Sequence, residues 1–483
     1  MKFLKGLFCL LLLFIATRLN AQVDTTWTPS KTYSQNQLMA DFDLFKRVLT
    51  EAHPSLYRYK SKAAIDSAFE KAAGKINKPM TGDEFWHVLE PVVVSIHSGH
   101  TDLFPSSAEV WWYNKHPANF LPGVFFVADD SLFMISRKKG DSVKKIRPVL
   151  SIDSIPADKL IDTLREYISG EGLSTQFVNF KLQGNIFSRI YGQVYGYKPT
   201  YAVVITDSIN RPKTITMKAR TAPYGKGADK SKEALENKKD QLSEVVSVRY
   251  PPDAPATAVL KIKNFTYVNY YLSFHQQFFK LMYKDKVKNL VIDLRGNTGG
   301  FPAIGLDLMR YLVNGRCTQI KSRQEPYNKI SFNNNILKGA GYDANVDTTG
   351  EHENYKYHLK YFSDVYCYTD YFFDKNVYLL VDKGTFSAAS IFAASLKNQR
   401  KIIVLGEETG GSETGSDSAF SIIKLPNTGL LLDFPRYWVN IATDHPKSTH
   451  GLIPDVVVKS SPVTSNGEDA VMVKVKALIL SEK

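Results

Sequence analysis

The sequence predicts an α+β protein of several domains. Its 483 residues exceed the roughly 100–200 residues of an ordinary domain. The first part of the chain has helical spacing of apolar residues, the middle has short β-rich stretches, and the last part alternates strands with helices. Hydrophobic residues make up 43% and charged residues 23%, as in ordinary globular proteins, so composition excludes a disordered or collagen-like chain.

The segment 34–105 has the pattern of amphipathic helices. Leu38, Phe42, Phe45 and Leu49 recur at intervals of three and four residues, which places them on one helix face. Two further helices are predicted, one over 62–76 and one that follows Thr81. We therefore expect an N-terminal helical domain over 34–105.

Residues 121–222 change to short β-rich stretches. The predicted strands are 124–127, 132–135, 149–152, 201–205 and 214–217, with one helix over 157–167 among them. The pattern favours a small mixed β domain. The polar, proline-containing segment 223–256 is predicted to be a linker.

Strands and helices alternate from residue 257 to residue 460. The predicted strands are 259–262, 290–294, 377–381 and 402–405, and the predicted helices are 268–283, 303–313 and 388–397. Such alternation predicts a largely parallel sheet built from crossover units. Residues 461–483 are expected to form a C-terminal tail or helix.

Residues 1–21 have the pattern of a secretory signal peptide. Lys2 and Lys5 precede an apolar run that is too short to span a bilayer, and Ala21 is a small residue at the expected cleavage position. An uncleaved membrane anchor is the alternative, because Leu19 is not the small residue expected three positions before the cut. We expect an exported protein, periplasmic or secreted, without stable membrane insertion after cleavage.

The net charge of +13 does not indicate a nucleic-acid partner. The basic residues are spread along the chain except over 226–239, where acidic residues interleave, as in a solvated linker or helix. Cleavage would leave Cys317 and Cys367, whose pairing the sequence does not determine. No Cys/His spacing is typical of a zinc site, so neither a metal nor a cofactor is predicted.

Ser387 has the strongest catalytic context in the chain. A buried strand runs into a tight turn and then into an alanine-rich helix that begins at Ser387. A serine there lies at the carboxyl end of a strand, where open sheets bind ligands, and a helix N-terminus can stabilise an oxyanion. On the local sequence alone, a helix cap at Ser387 or Thr385 is the favoured interpretation.

Two other segments are candidates for the same site. The strand over 290–294 ends in a glycine loop with Gly299 and Gly300, which lets backbone N–H groups approach a ligand or simply forms a turn. His97 and His100 close the helical region. On their own, two histidines near a helix end are more often structural than catalytic.

Taken together, these segments resemble peptidase family S41, the tail-specific and tricorn-core type serine peptidases. The family blocks that the sequence resembles are D-L-R-x-N-x-G-G at 293–300, the nucleophile block at 380–393, G-E-x-T-x-G at 406–411 and G-x-x-P-D at 451–455. The segment that ends at 99–101 is similar to the tricorn-like branch. The resemblance implies a divergent PDZ-like domain over 121–222, a crotonase-like peptidase core over 257–460 and a peptide or protein substrate.

The resemblance implies that Ser387 is the nucleophile of an acyl-enzyme mechanism. It selects His100 as the general base, because the family histidine is followed by Thr, as His100 is by Thr101, and it leaves His97 as structural. The tail-specific branch instead uses a lysine 25 residues after the nucleophile, where this chain has Ser412. The Ser–Lys dyad is therefore not expected here.

The remaining site residues are less well defined by the resemblance. The tricorn-like branch has a serine directly before its histidine and a glutamate close to the terminal block, and this chain departs from both. Ser98 and Asp444 are the candidates for orienting His100. The backbone N–H groups of Gly299 and Ala388 are the expected oxyanion donors.

Two classes of function stay open at this point. One is an exported serine peptidase, and the other is a non-catalytic ligand- or peptide-binding protein on the same scaffold. The presence of both Ser387 and His100 favours the enzyme, because a carrier needs neither. An esterase or other acyl hydrolase would share the nucleophile, and the sequence predicts no oligomeric state.

Overall fold

The computed structural model describes residues 24–136, 145–207, 209–222, 245–266, 268–324, 331–332, 365–441, 443–459 and 469–481. The predicted signal peptide, most of the predicted linker (223–244) and the start of the predicted C-terminal segment (460–468) lie outside these ranges. Within them the chain is a mixed α+β protein with 11 helices and several sheets. The predicted α+β class is confirmed at this level.

The N-terminal region is mainly helical. Its elements are β1 (Thr32–Tyr33), α1 (Gln35–Ala52), α2 (Lys62–Lys75), β2 (Met80–Thr81), α3 (Gly82–Ser95), β3 (Asp102–Phe104) and α4 (Ser107–Lys115). A capping box begins α1, because Ser34 Oγ accepts from the Gln37 N–H and the Gln37 side chain accepts from the Ser34 N–H. The apolar face of α1 is buried in a core that continues into the middle region.

The middle region contains a six-stranded antiparallel sheet with helices beside it. Its elements are β4 (Ala118–Phe120), β5 (Val124–Ala128), β6 (Ser131–Ser136), β7 (Lys145–Ile152), β8 (Ile155–Pro156), α5 (Ala157–Arg165), α6 (Gln176–Lys181), α7 (Gly184–Tyr195), β9 (Thr200–Thr206), β10 (Pro212–Lys218) and β11 (Arg220–Ala222). The strand order is β10-β9-β7-β6-β5, with β8 beside β7. The sequence predicts a single helix in this region, whereas the structure has three, α5, α6 and α7. Gly184, Gly192 and Gly196 interrupt the apolar spacing around α7.

The C-terminal region is built on a second six-stranded sheet. Its elements are β12 (Val246–Arg249), β13 (Thr257–Ile262), α8 (Val268–Lys284), β14 (Asn289–Asp293), α9 (Pro302–Arg310), β15 (Gly315–Cys317), β16 (Ser322–Gln324), β17 (Val365–Cys367), β18 (Asn376–Val381), α10 (Ala388–Gln399), β19 (Ile403–Gly406), β20 (Gly415–Lys424), β21 (Leu431–Asn440), β22 (Val456–Val457) and α11 (Ala470–Ser481). The strand order is β12-β13-β14-β18-β19-β22, parallel except for the antiparallel edge strand β12. The carboxyl ends of β14 and β18 therefore lie side by side.

One edge of this sheet differs from the sequence expectation. Strand β12 lies inside the predicted linker, where Val246 and Val248 alternate with polar residues and pair with β13. The C-terminal segment forms α11, which buries apolar side chains against the sheet. The structure also joins Cys317 to Cys367 in a disulfide between β15 and β17.

A smaller sheet connects the N-terminal region to the C-terminal region. Strand β21 pairs with β20 and β16, and its first residues also pair with β3, as Leu431 opposite Phe104 shows. The segment just before β3 carries His100. This pairing therefore anchors His100 beside the C-terminal sheet although it is distant in sequence. Among the described helices, none has the length and hydrophobicity needed to cross a bilayer.

Candidate active site

Ser387 lies in a strained turn between β18 and α10. Its φ of 54° is in the left-handed region, which a non-glycine residue adopts at a cost of about 1–3 kcal/mol. Ser387 is the N-cap residue of α10, yet its side chain makes no capping hydrogen bond. The Thr385 hydroxyl donates to the Leu294 carbonyl instead of capping the helix. The alternative in which these residues only cap α10 therefore does not describe the structure.

His100 reaches Ser387 across 287 positions of the sequence. Its Nε2 lies 3.0 Å from Ser387 Oγ, which is hydrogen-bonding distance. The imidazole stacks between Phe386 and Phe420, with ring centroids 4.5 Å and 5.2 Å away. Burial lowers the pKa of His100 to about 4, so the ring is neutral near pH 7 and can accept the proton of the serine hydroxyl.

His97 does not join this pair. Its backbone has a φ of 59°, and its carbonyl accepts a hydrogen bond of 3.0 Å from the Gly172 N–H. Burial lowers the pKa of the His97 side chain as well. Through its backbone, His97 holds the loop that contains Gly172.

Neither residue proposed from the sequence to orient His100 contacts its ring in the structure. Ser98 is buried, and its Oγ donates to Asp417 Oδ2 at 2.6 Å. Asp444 is exposed after β21 and, among the described residues, forms no hydrogen bond or ion pair with His100. The carboxylate beside the ring belongs to Glu171, whose Oε2 lies 3.7 Å from His100 Nδ1.

Glu171 is held in the loop between α5 and α6. Its Oε2 accepts a hydrogen bond of 3.1 Å from the Gly99 N–H, and its Oε1 accepts one of 3.1 Å from the Tyr59 hydroxyl. Burial raises the pKa of Glu171 to about 7 despite these two donors. The sequence signal that could have found it is a lone acid between two glycines, Gly170 and Gly172.

A second buried carboxylate, Asp417 on β20, lies behind the histidine. It accepts hydrogen bonds of 2.6 Å from the hydroxyls of Ser55 and Ser98. Burial, with a smaller contribution from the neighbouring Glu171, raises its pKa to about 7. Sequence analysis missed Asp417 because it did not identify β20 and assigned no role to the polar residues after 406–411.

The loop after β14 is fastened to the nucleophile turn. Asp382 Oδ1 accepts from the Gly296 N–H at 2.8 Å and from the Gly384 N–H at 2.9 Å. The Asn297 carbonyl accepts from the Phe386 N–H at 3.0 Å. The two motif segments thus form one backbone frame around Ser387.

The two expected oxyanion donors differ in the structure. The Gly299 N–H donates to Asn297 Oδ1 at 2.9 Å, so its own loop already engages it. Ala388 is the first residue of α10, so its N–H has no acceptor within the helix. A Cβ on Gly299 would lie 2.9 Å from the Ala388 nitrogen and 2.7 Å from Ser387 Cβ. Gly299 therefore keeps the approach to Ala388 open, and Ala388 is the available donor.

The described lysines near the site are engaged elsewhere. Lys181 Nζ donates to Ser169 Oγ at 2.9 Å, and Lys383 Nζ donates to the Val127 carbonyl at 3.1 Å. Ser412, at the position of the dyad lysine, is buried with its Oγ 2.8 Å from Thr414 Oγ1. Within the described part of the chain, the imidazole of His100 is the basic group hydrogen-bonded to the serine.

Comparison with known proteins relates the C-terminal region to a peptidase family and the fold to solved structures. Residues 256–458 match the sequence model of Peptidase family S41. The crystal structure of mature CPAF has a similar fold, with 14% identity, coverage of 92% of this chain and 96% of that chain, and a TM-score of 0.60. The structure of mature CPAF complexed with lactacystin is 13% identical, with coverage of 93% of this chain and 97% of that chain and a TM-score of 0.60.

The photosystem II D1 C-terminal processing protease is a more distant match, at 14% identity, with coverage of 88% of this chain and 93% of that chain and a TM-score of 0.40. No curated protein sequence matches the chain at a significant level. The match over 256–458 contains the frame around Ser387 and the blocks that follow it. Residues 256–458 therefore carry the sequence pattern of peptidase family S41, which supports a serine-type peptidase.

Proposed function

We propose that this chain is an exported peptidase that hydrolyses peptide bonds through an acyl-enzyme on Ser387, with His100 as general base. The observation that carries the proposal is the 3.0 Å contact between His100 Nε2 and Ser387 Oγ, at a strained turn on a helix N-terminus. A serine hydroxyl is a weak nucleophile and needs such a base within hydrogen-bond reach. Two groups brought together across 287 residues are difficult to explain as a local structural contact.

In the acylation step, His100 Nε2 takes the proton of the Ser387 hydroxyl while Oγ attacks the carbonyl carbon of the scissile peptide. The oxygen of the tetrahedral intermediate becomes negative, and the Ala388 N–H together with the positive end of α10 stabilises it. The imidazolium then returns the proton to the leaving amine as the C–N bond breaks. Water repeats the sequence on the ester, releases the acid and restores Ser387.

The surroundings of His100 suit this proton transfer. The stacked rings of Phe386 and Phe420 restrict the imidazole to one plane and shield it from water. Because its pKa lies near 4, the ring is unprotonated before the reaction. The imidazolium that forms during acylation then needs a negative partner.

The finer features of the fold and location belong to the same proposal. We take 121–222 as a divergent PDZ-like domain and 257–460 as a crotonase-like core, with 223–256 between them. The antiparallel sheet of the first region and the parallel sheet of the second support this assignment. The signal pattern of 1–21 supports export, so the mature protein should begin near Gln22. N-terminal sequencing of the protein from the producing cell tests this, and Met1 on a cytoplasmic product would contradict it.

A fluorophosphonate probe, which phosphonylates activated serines, tests the catalytic proposal. The full chain should react, and Ser387→Ala should not. Ser395→Ala is a matched control, because Ser395 lies on the same helix with its hydroxyl bonded to the Gln319 carbonyl. Absence of labelling in a folded wild-type chain would instead favour the non-catalytic binding protein. Cleavage of activated esters without cleavage of any peptide would favour an acyl hydrolase.

A further inference from the structure

The Nδ1 atom of His100 is the one part of the proposed dyad without a partner. For His100 Nε2 to accept the proton of Ser387, the proton of the neutral ring has to reside on Nδ1. This nitrogen is buried and has no hydrogen-bond acceptor within the described residues. An imidazole that must accept a proton at one nitrogen needs an acceptor at the other, to fix the tautomer and stabilise the cation.

Glu171 is placed to be that acceptor. Its side chain is 1% exposed, and its Oε2 lies 3.7 Å from His100 Nδ1. The distance exceeds that of a hydrogen bond by about 0.8 Å, and catalytic hydrogen bonds commonly tighten when a substrate binds. At this distance the buried carboxylate is the acceptor available to the unpaired Nδ1–H.

The loop that carries Glu171 is fixed on both sides. The Gly172 N–H donates to the His97 carbonyl at 3.0 Å, and the Leu173 N–H donates to the Thr449 carbonyl at 2.9 Å. Gly172 has a φ of 67°, and a Cβ there would lie 2.3 Å from the Thr449 oxygen. The segment before Gly451 thus contributes a backbone clamp for a carboxylate that comes from elsewhere in the chain.

The glycine before His100 is part of the same arrangement. The Gly99 N–H donates to Glu171 Oε2, and a Cβ at this position would lie 3.3 Å from that oxygen and 2.7 Å from Phe386 Cζ. A larger residue would force the Phe386 ring or the carboxylate to move. The absence of a side chain at 99 therefore lets the carboxylate approach the backbone beside His100.

We propose that Glu171 is the positioning residue of His100: its carboxylate accepts the hydrogen bond from the Nδ1–H and holds Nε2 towards Ser387. The proposal rests on the function proposed above. It assigns to the loop between α5 and α6 a role that the sequence analysis sought in Ser98 and Asp444. Asp417 is the competing carboxylate, but within the described residues no hydrogen bond or ion pair joins it to His100, whereas Glu171 Oε2 lies 3.7 Å from His100 Nδ1.

The proposal has a consequence for the pH dependence of activity. The charged or titratable groups that face Glu171 or His100 within the described residues are Arg58, Tyr59, Lys181, Asp102 and Asp417. Burial outweighs them and raises the pKa of Glu171 to about 7, while it lowers the pKa of His100 to about 4. Below pH 7 Glu171 is therefore neutral, and above it an anion that stabilises the imidazolium. Activity should rise through about pH 7, where His100 is already unprotonated.

The test is the pH profile of kcat/KM for the full chain between about pH 5 and pH 9, on a peptide that the wild type cleaves. Glu171→Gln keeps the size of the side chain and removes its charge. It should lower kcat by about 10²-fold with little change in KM and abolish the rise near pH 7. Glu109→Gln is the matched control, because Glu109 is a buried glutamate elsewhere with a pKa raised to about 8. It should keep the rise.

Asp417→Asn separates the two carboxylates. Because Glu171 and Asp417 repel each other as anions, this change should move the rise to lower pH without removing it. A rise that persists in Glu171→Gln would overturn the proposal whatever the absolute rate. A rise that vanishes in Asp417→Asn and persists in Glu171→Gln would transfer the role to Asp417.

A second measurement does not depend on turnover. The ring ¹⁵N shifts of His100, assigned by comparison with His100→Ala, should show an inflection near pH 7 in the wild type and in Glu109→Gln. The inflection should be absent in Glu171→Gln. If the chain proves inactive towards the fluorophosphonate and peptides, the proposed function fails, while this titration still decides whether Glu171 partners His100. An unchanged inflection in Glu171→Gln would reject the pairing.

Discussion

The two sides of the site are built in different ways. The nucleophile side consists of the β14 loop and the turn before α10, which adjacent parallel strands bring together. Hydrogen bonds between backbone and Asp382 fasten these segments to each other. The base side combines His100, Glu171 and Asp417, which come from three regions of the chain. The first is mainly a local backbone structure, whereas the second exists only through long-range packing.

The difference between the nucleophile side and the base side indicates which part of an active site can be predicted from a sequence. A strained serine turn needs particular residues at fixed spacing, so it leaves a motif. A buried acid beside a histidine needs only a loop of suitable position, and different loops can supply it. Here the carbonyls of His97 and Thr449, which accept from the N–H groups of Gly172 and Leu173, hold the loop in place.

The largest expected effect on the base side comes from His100→Ala. A positioned general base contributes about 10²–10⁴-fold, so kcat/KM should fall within that range. His97→Ala is the control, because the contact of His97 with Gly172 uses its backbone carbonyl and survives the change. Steady-state kinetics at matched folded fractions would measure both. Equal losses in the two variants would reject the distinction between these histidines.

Much of this outcome could be predicted from the sequence. The strands around Ser387 and the motif blocks are predictable because tight turns restrict residue type, and Thr101 after His100 indicates the base. Glu171 was not predicted, because a single acidic residue in a loop belongs to no periodic pattern and its partner cannot be identified from the sequence. Asp444 is a candidate for orienting His100 because it lies near the terminal block, but in the structure its side chain is exposed to solvent.

Two elements show why the fold was predicted incompletely. Strands β20 and β21 are ten residues each, yet most of their positions are buried on both faces, so the apolar and polar alternation of a surface strand is missing. Strand β12 was assigned to the linker because proline and charged residues surround it. In both cases tertiary pairing, not local propensity, determines the structure.

On the nucleophile side, Gly299→Ala should have the next largest effect. A methyl group there would lie 2.9 Å from the Ala388 nitrogen and would obstruct the oxyanion donor, whose loss costs about 10²–10³-fold in kcat. Gly315→Ala is a matched control, because Gly315 has a φ of 90° with no atom within 4 Å of a Cβ. It adds similar backbone strain without blocking the site.

Thermal unfolding and kcat should be measured together for this pair. Both variants should lose stability, but only Gly299→Ala should lose activity beyond what the folded fraction explains. Similar kcat values in the two variants would mean that the space beside Ala388 is not used in the reaction.

A smaller effect is expected from Gly99→Ala on the base side. The added Cβ would lie 2.7 Å from Phe386 Cζ, so the ring that stacks on His100 must shift. Because the catalytic groups themselves remain, we expect kcat to fall about tenfold, an effect typical of a misplaced base. Gly74→Ala, inside α2 with open space around it, should be neutral or stabilising. Full activity in Gly99→Ala would show that the aromatic stack is not needed.

The smallest effect should come from Ser412→Ala, which tests the other possible base. Ser412 occupies the dyad-lysine position, and its hydroxyl pairs with Thr414 rather than with the nucleophile. The change leaves Thr414 without this partner, which costs about 1 kcal/mol of stability. The rate should fall less than about threefold, and the rise in activity near pH 7 should stay in place, because Glu171 and His100 are untouched. A pH–rate profile of the variant checks both. Loss of that rise in Ser412→Ala would mean that the segment around 412 controls the ionisation of the site. The motif segments would then contribute to the base side as well as to the nucleophile side.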